Sequence, residues 1–367
     1  MNRLVLIGNG FDLAHGLKTS YKNFIEWYWE EWGRRLLCSS KIKEDDGLCS
    51  FVLSDNVNLA HWSYVWGFHY QRQNPYEPWD PVEVVKIAMQ DKEICTFTMS
   101  PLLLSICNSI ESRKWVDIEN DYYDLLWKYV SEDSNASKIA DLNNHLYFLQ
   151  EKLIEYLKTE SNKIVESIDV IYDKINRPTR FQEIAVSSRR SIRPIDDPNP
   201  ESVMLLSFNY TDTIKKYESN GLNTKVNYIH GHLEEPKSII FGYGDEMDKG
   251  FKKLQKQKDS ECLRHIKSIR YLESDNYRRM LEFIESGPFQ VVIMGHSCGN
   301  SDRTLLNTLF EHRNCVSIKP YYYQKNPNED NYIELVQNIS RNFTDMKLMR
   351  DRVVNKEYCE PLTNSSN

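Results

Sequence analysis

No two of the eight cysteines (Cys38, Cys49, Cys95, Cys107, Cys262, Cys298, Cys315 and Cys359) stand at C-x-x-C spacing. That excludes the paired-cysteine zinc sites, and no histidine pair completes a ligand set. Reduced thiols in a cytoplasmic protein are expected. Long hydrophobic runs are missing too. The opening run Leu4-Val5-Leu6-Ile7 is too short for a signal-peptide core, and no later run reaches membrane length. A soluble chain with no membrane partner follows. Positive charge is not in excess. The formal net charge is −7, whereas binding nucleic acid through its phosphates needs a basic face. No strong nucleic-acid signal is present. The local stretches Ser188–Arg193 and Lys249–Lys258 read as solvated loops or helix faces. Repeats and low-complexity tracts are also lacking.

Aromatic residues are plentiful instead, with 22 Tyr and 8 Trp. Such rings fill volume while their O–H and N–H groups demand partners, which points to a wet, aromatic core between helices. A length of 367 residues allows two domains, or one with a large insertion.

Short apolar runs, each ending in small or polar residues, mark buried parallel strands. They are Arg3–Ile7 before Gly8-Asn9-Gly10, Val203–Ser207 before Phe208-Asn209-Tyr210-Thr211, Val226–Ile229 before His230-Gly231, and Val291–Met294 before Gly295-His296-Ser297. Open parallel sheets bind ligands outside the carboxyl ends of their strands. All four loops are therefore expected around one crevice. Residues 21–199 read as a mainly helical insertion or cap, with helical spacing over Tyr122–Val130 and Asn143–Ile171. Residues 40–57 and 185–201 read as irregular loops. The expected organisation is a nucleotide-binding domain of residues 1–20 and 200–350, the insertion 21–199, and a flexible tail 351–367.

Each loop carries candidate chemistry. In Gly8-Asn9-Gly10-Phe11-Asp12 a strand runs into G-x-G, whose backbone N–H groups can approach a pyrophosphate, but a full G-x-G-x-x-G is lacking because position 13 is Leu13. A tight strand-to-helix turn is the bland reading. In Ser207-Phe208-Asn209-Tyr210 the Asn209 amide can reach a ribose or an ordered water. His230 suits general-base work near neutral pH, and Gly231 hints at a closely backed ligand. The neighbouring His232 lacks a carboxylate set, so no metal is expected. Gly295-His296-Ser297-Cys298-Gly299 fits the G-x-S-x-G nucleophile elbow. The only histidine after it is His312, a poor triad member, so that hydrolase reading is rejected. Asp302 follows on the same loop. Asp117, Glu119 and Asp121 read as an acidic first turn of a helix. Glu119 is also a candidate to reach the crevice, and the three together are a weaker candidate for holding magnesium in a nuclease.

The stretch Gly8-Asn9-Gly10-Phe11-Asp12-Leu13-Ala14-His15-Gly16-Leu17-Lys18-Thr19-Ser20-Tyr21 resembles the start of the AbiH-type bacteriophage abortive-infection family. So do Trp115 to Glu119, Ser207 to Thr211, His230-Gly231 and Gly295 to Asp302. The resemblance runs to about residue 312. That family in turn resembles sirtuin-like Rossmann folds, several of which destroy NAD in phage defence. The implied fold is a sirtuin-like parallel sheet with a large helical insertion. The implied catalytic pair is Asn209 and His230. Gly8, Asn9, Gly10, Phe11, Asp12, Ser207, Phe208, Tyr210, Gly231, Gly295, His296, Ser297 and Asp302 are implied to contact NAD as substrate. The sirtuin zinc ribbon of paired cysteines is missing, which speaks against protein deacetylation. The implied activity is hydrolysis of NAD in antiphage defence, with homo-oligomers and a phage-derived or protein trigger as expected partners. A nucleotide-sensing module without turnover is the alternative.

Overall fold

The structure is a computed structural model describing residues 1–38, 43–55, 57, 81–113, 117–132, 136–163, 166–190, 199–218, 223–244, 246–248 and 250–363. Its strands in chain order are β1 (Asn2–Ile7), β2 (Lys43–Asp45), β3 (Cys49–Leu53), β4 (Cys95–Met99), β5 (Ser202–Ser207), β6 (Asn223–Tyr228), β7 (Phe289–Met294), β8 (Cys315–Tyr321), β9 (Gln324–Asn326) and β10 (Glu329–Asp330). The chain divides into two compact units, Met1–Thr19 with Leu157–Asn367, and Ser20–Tyr156. Among the described residues no helix is long and apolar enough to cross a membrane.

The first unit is built on a five-stranded parallel sheet in the order β6-β5-β1-β7-β8. This is the Rossmann-like α/β arrangement expected from the apolar runs. Alternation along each strand divides the side chains between two faces. Leu4, Leu6, Leu206, Val291 and Ile293 enter one core with Ile284, Leu306 and Ile339. Val5, Ile7, Val203, Leu205, Val292 and Met294 enter the other with Ile171, Ile175 and Tyr217. Both faces are covered, which is why these strands read as continuous apolar runs. The chain moves outward from β1 through β5 to β6, then returns to the other side of β1 for β7 and β8. The order therefore reverses between β1 and β7, the position at which such sheets open a crevice.

β8 has no such run, yet all seven of its residues are buried. Its polar members are matched from elsewhere. Lys319 pairs with Glu183, and Gln290 donates to Glu183 Oε2 (3.0 Å) and Ser317 Oγ (3.1 Å). Residues 351–363, read as a tail, lie along this edge strand. Val353 bridges Ile318, Pro361 bridges Tyr322, and Val353, Val354 and Leu362 are buried. The apolar pair Val353-Val354 covers an edge that would otherwise present unpaired backbone groups.

The second unit contains the helices Tyr21–Cys38, Pro81–Gln90, Pro101–Arg113 and Ile118–Ser131, most of Ala136–Ser161, and an antiparallel sheet β2-β3-β4. Residues 43–53 are thus a hairpin rather than an irregular loop. Its turn is Asp46-Gly47, with Gly47 at φ 87°. Asp46 fixes it by accepting from the Leu48 and Cys49 N–H groups (3.1 and 3.0 Å), from Trp32 Nε1 (2.7 Å) and from Tyr28 Oη (3.0 Å). Here the aromatic rings have the polar partners their composition called for. The helical reading of Asn143–Ile171 breaks in two, into Ala136–Ser161 and Asp169–Asn176.

Candidate functional site

The loops after β1, β5, β6 and β7 leave the same carboxyl edge of the first unit's sheet. Asn209, following β5, donates from its amide to the Gly8 carbonyl after β1 (3.0 Å), and the Ser207 hydroxyl ties the loop by accepting from the Asn209 N–H (3.2 Å). Thr211 Oγ1 donates to Asp12 Oδ2 at 2.6 Å. Sequence positions some two hundred residues apart are therefore bonded directly.

The loops after β1 and β7 touch backbone to backbone. Gly8 N–H donates to the Met294 carbonyl (3.3 Å), Gly10 N–H to the Gly295 carbonyl (2.8 Å), and Phe11 N–H to the Gly8 carbonyl (2.9 Å). A Cβ on Gly8 would meet His296 Cα at 2.5 Å, and one on Gly295, at φ 73°, would meet Phe11 N at 2.1 Å. The glycines thus let two loops of the protein pack on each other, a contact that the sequence reading did not foresee. The helix that follows, Asn9–Ala14, has only six residues. Gly231 is similar. What backs onto it is the Ser238 carbonyl, 2.2 Å from where a Cβ would stand.

Asp12 is fully buried, with 1% exposure. Burial pushes its carboxyl up to about 6, with the side chains of Thr211, Thr213 and Asn209 holding back part of the rise. Its Oδ1 has no partner in good geometry among the described residues. A carboxyl that titrates near neutrality beside an amide is suited to proton transfer.

A second polar cluster is enclosed beneath the β5, β6 and β7 loops. Lys267 Nζ stands 2.8 Å from Asp302 Oδ1, His230 Nε2 stands 3.4 Å from the same oxygen, and His296 Nε2 stands 3.5 Å from Oδ2. Tyr271 Oη lies 3.2 Å from His230 Nε2. The Phe208 ring packs against both imidazoles, with centroids 5.2 Å from His230 and 4.1 Å from His296. The Cys298 N–H donates to His296 Nδ1 (3.0 Å), which places the ring proton on Nε2, facing Asp302. Burial, then the Lys267 charge, pushes His230 down to about 3 against the opposing pull of Asp302, so its imidazole is neutral at ordinary pH. Burial alone would raise Asp302, but the Lys267 ammonium, helped by the His296 side-chain hydrogen bond, outweighs it and keeps the carboxylate ionised. Asp302 is committed to this cluster, in contrast to the exposed Ser297 on the same loop. Lys267 and Tyr271 were missed from sequence. Lys267-Ser268-Ile269-Arg270 looks like a solvated face, and nothing local marks Lys267 as buried.

Other positions have structural partners. Phe11 packs with His15 and Tyr217 (centroids 4.6 and 5.4 Å). Tyr210 Oη donates to the Ile240 carbonyl (3.1 Å). Asn9 is exposed and accepts from Thr19 Oγ1 (2.5 Å). Glu119 is buried near the start of the helix Ile118–Ser131 in the second unit. Asp117 caps that helix by accepting from the Asn120 N–H (3.2 Å), and Asp121 accepts from Ser105 and Ser109 (2.9 Å each). These bonds explain both acids without magnesium. Trp115 and Val116 lie outside the described residues, as do Ser191–Arg193 and Lys249.

A groove of about 500 Å³ opens in the first unit, lined by Leu17, Ser161, Asn162, Lys163, Asp212, Thr213, Lys215 and Lys216. At its rim stands His232 between two carboxylates, Glu234 two residues on and Asp212 from the loop after β5. Asp212, His232 and Glu234 hold donor atoms within 4.8 Å of one another. However, the Glu234 N–H donates to His232 Nδ1 (3.3 Å), leaving the ring proton on Nε2, which is bonded to Asp212. Lys215 Nζ sits 3.1 Å from Asp212 Oδ2 and 3.4 Å from Glu234 Oε2. Proton and ammonium already occupy the place of a cation.

The family model described as bacteriophage abortive infection AbiH matches residues 4–323. No curated protein and no solved structure matches the chain.

Proposed function

The chain belongs to the bacteriophage abortive infection family AbiH, its role is antiphage defence, and from that premise we propose that it acts by hydrolysing the bond between nicotinamide and ribose in NAD. One observation carries this reading: Asn209, on the loop after β5, and Asp12, in the helix after β1, meet beside Gly8. Cleavage breaks the C–N bond to nicotinamide, which leaves as a neutral base while positive charge develops on the ribose. Water supplies the new C–O bond, and its proton must be taken up. Asn209 orients the ribose and the water. Asp12, ionised above about pH 6, stabilises the developing charge and accepts the proton. His230, neutral, held by Tyr271 and packed against Phe208, acts as a positioning residue that keeps the loop in place.

The test is nicotinamide release from NAD by the purified full chain, beside Asn209→Ala, Asp12→Asn and His230→Ala. Release by the wild type that falls at least a hundredfold in Asn209→Ala supports the reading. No release by the wild type, alone or with a phage lysate as trigger, overturns it. The enclosure of His230 favours one second reading, a sensor that binds a nucleotide without turnover. A ligand-induced rise in melting temperature, with the ligand recovered intact, is its signature.

A further inference from the structure

The glycine turn has little left to offer a phosphate. The N–H groups of Gly8, Gly10 and Phe11 are all spent on carbonyls of the protein, and the loops after β1 and β7 close on each other. The lysine-bearing groove is differently made. Its volume of about 500 Å³ is that of a small-molecule site. Lys163, Lys215 and Lys216 converge on it. Lys216 is exposed and joins no ion pair among the described residues, and the buried Ser161 hydroxyl has no partner there. Lys215 is paired with Asp212 and Glu234, exposed pairs of the kind that water and salt weaken, so a phosphate can replace them at little cost, while Lys163, half-exposed, keeps its bonds to the buried Glu160 and turns its remaining N–H to the groove.

The groove also adjoins the site. Two of its wall residues contact Asp12: the Leu17 N–H donates to the Asp12 carbonyl (3.1 Å), and the Thr213 side chain faces the Asp12 carboxylate. We propose that the diphosphate of the nucleotide is held in this groove by Lys163, Lys215 and Lys216, with its ribose directed toward Asp12 and Asn209. The assignment rests on the nucleotide reading above and moves the phosphate position away from the amino-terminal glycines.

The probe is ADP-ribose, titrated calorimetrically into the full chain at low salt and again at higher salt. The comparison is the double variant Lys215→Gln with Lys216→Gln, two exposed side chains whose only ion-pair partners among the described residues, Asp212 and Glu234, are themselves solvent-accessible, with the fold checked by its melting temperature. We expect binding to weaken about tenfold or more in the variant and to weaken with salt in the wild type. Wild-type protein that does not bind ADP-ribose, or a variant within twofold of it, overturns the assignment. Nicotinamide release separates the two proposals. Turnover that persists while ADP-ribose affinity ignores the lysines removes the groove and keeps the enzyme. Lysine-dependent binding without turnover keeps the groove and removes the enzyme.

Discussion

Lys267 and Asp302 form an ion pair of 2.8 Å inside the protein, their side chains 1% and 11% exposed. A buried pair of this kind costs desolvation on both sides, and breaking it strands a charge. Lys267→Met should therefore destabilise the fold by roughly 3–5 kcal/mol. The double change Lys267→Met with Asp302→Leu should recover most of that loss. Chemical denaturation of the three proteins measures this. A single variant as stable as the wild type would show that Asp302 does not need the ammonium.

Asp12 should make stability depend on pH with an unusual sign. Its carboxyl ionises near 3.8 when unfolded and near 6 when folded. Below about pH 4 both forms are protonated and nothing is lost. Between 4 and 6 the unfolded chain releases the proton first, so stability falls as pH rises. Above 6 the cost is full, roughly 3 kcal/mol. Asp12→Asn, which keeps an acceptor for Thr211, should match the wild type near pH 4 and exceed it at pH 7.5. A stability difference that stays constant across this range would mean that the carboxyl is not raised.

His230 acts on the acid side. Its imidazole, faced by Asp302, Lys267, His296, Tyr271 and the Phe208 carbonyl, takes a proton near pH 3 when folded but near 6.5 when unfolded. Nothing is lost above 6.5. As pH falls from 6.5 toward 3 the unfolded chain gains the proton and the native state weakens. His230→Gln should flatten that decline, while the loss caused by protonating Asp302 remains below about pH 4. Unfolding curves at half-unit pH steps distinguish the two windows.

Gly295 tests the contact between the β1 and β7 loops. In Gly295→Ala the new methyl would lie 2.1 Å from Phe11 N and 2.5 Å from Gly10 C, both backbone atoms, at φ 73°. We expect a loss on the order of 3 kcal/mol or more. Gly16→Ala shares the positive φ of 81° but has nothing within 4 Å, so it should cost only about 1 kcal/mol. Equal losses would remove the packing argument.

Much of the sheet was legible because β1, β5 and β7 are buried on both faces and carry unbroken apolar runs, such as Leu4–Ile7 and Val291–Met294. β8 was not, because Ser317, Lys319 and Pro320 interrupt it, and its burial depends on Glu183 and Gln290 arriving from other segments. The hairpin of β2 and β3 was announced only by Asp46-Gly47, a turn signal that sat among polar residues. At the site, the loops bearing Asn209, His230 and Asp302 could be named from their places after strands. What they touch could not. The Lys267 partner of Asp302 and the Thr213 side chain facing Asp12 follow from chain paths that no local pattern encodes. The pairing of Gly10 with Gly295 is equally non-local, which is why a phosphate cradle and a packing contact looked alike in sequence.

The position of β1 at the middle of the sheet has a consequence for biosynthesis. Its registers join Arg3 to Val203 on one side and Val5 to Val292 on the other. A ribosome must therefore make nearly 300 residues before the amino-terminal strand has both neighbours, and such distant pairings form slowly. The loops after β1 and β7 cannot make their backbone bonds, Gly8 to Met294 and Gly10 to Gly295, until then. A nascent or prematurely terminated chain therefore holds β1 with one sheet neighbour at most.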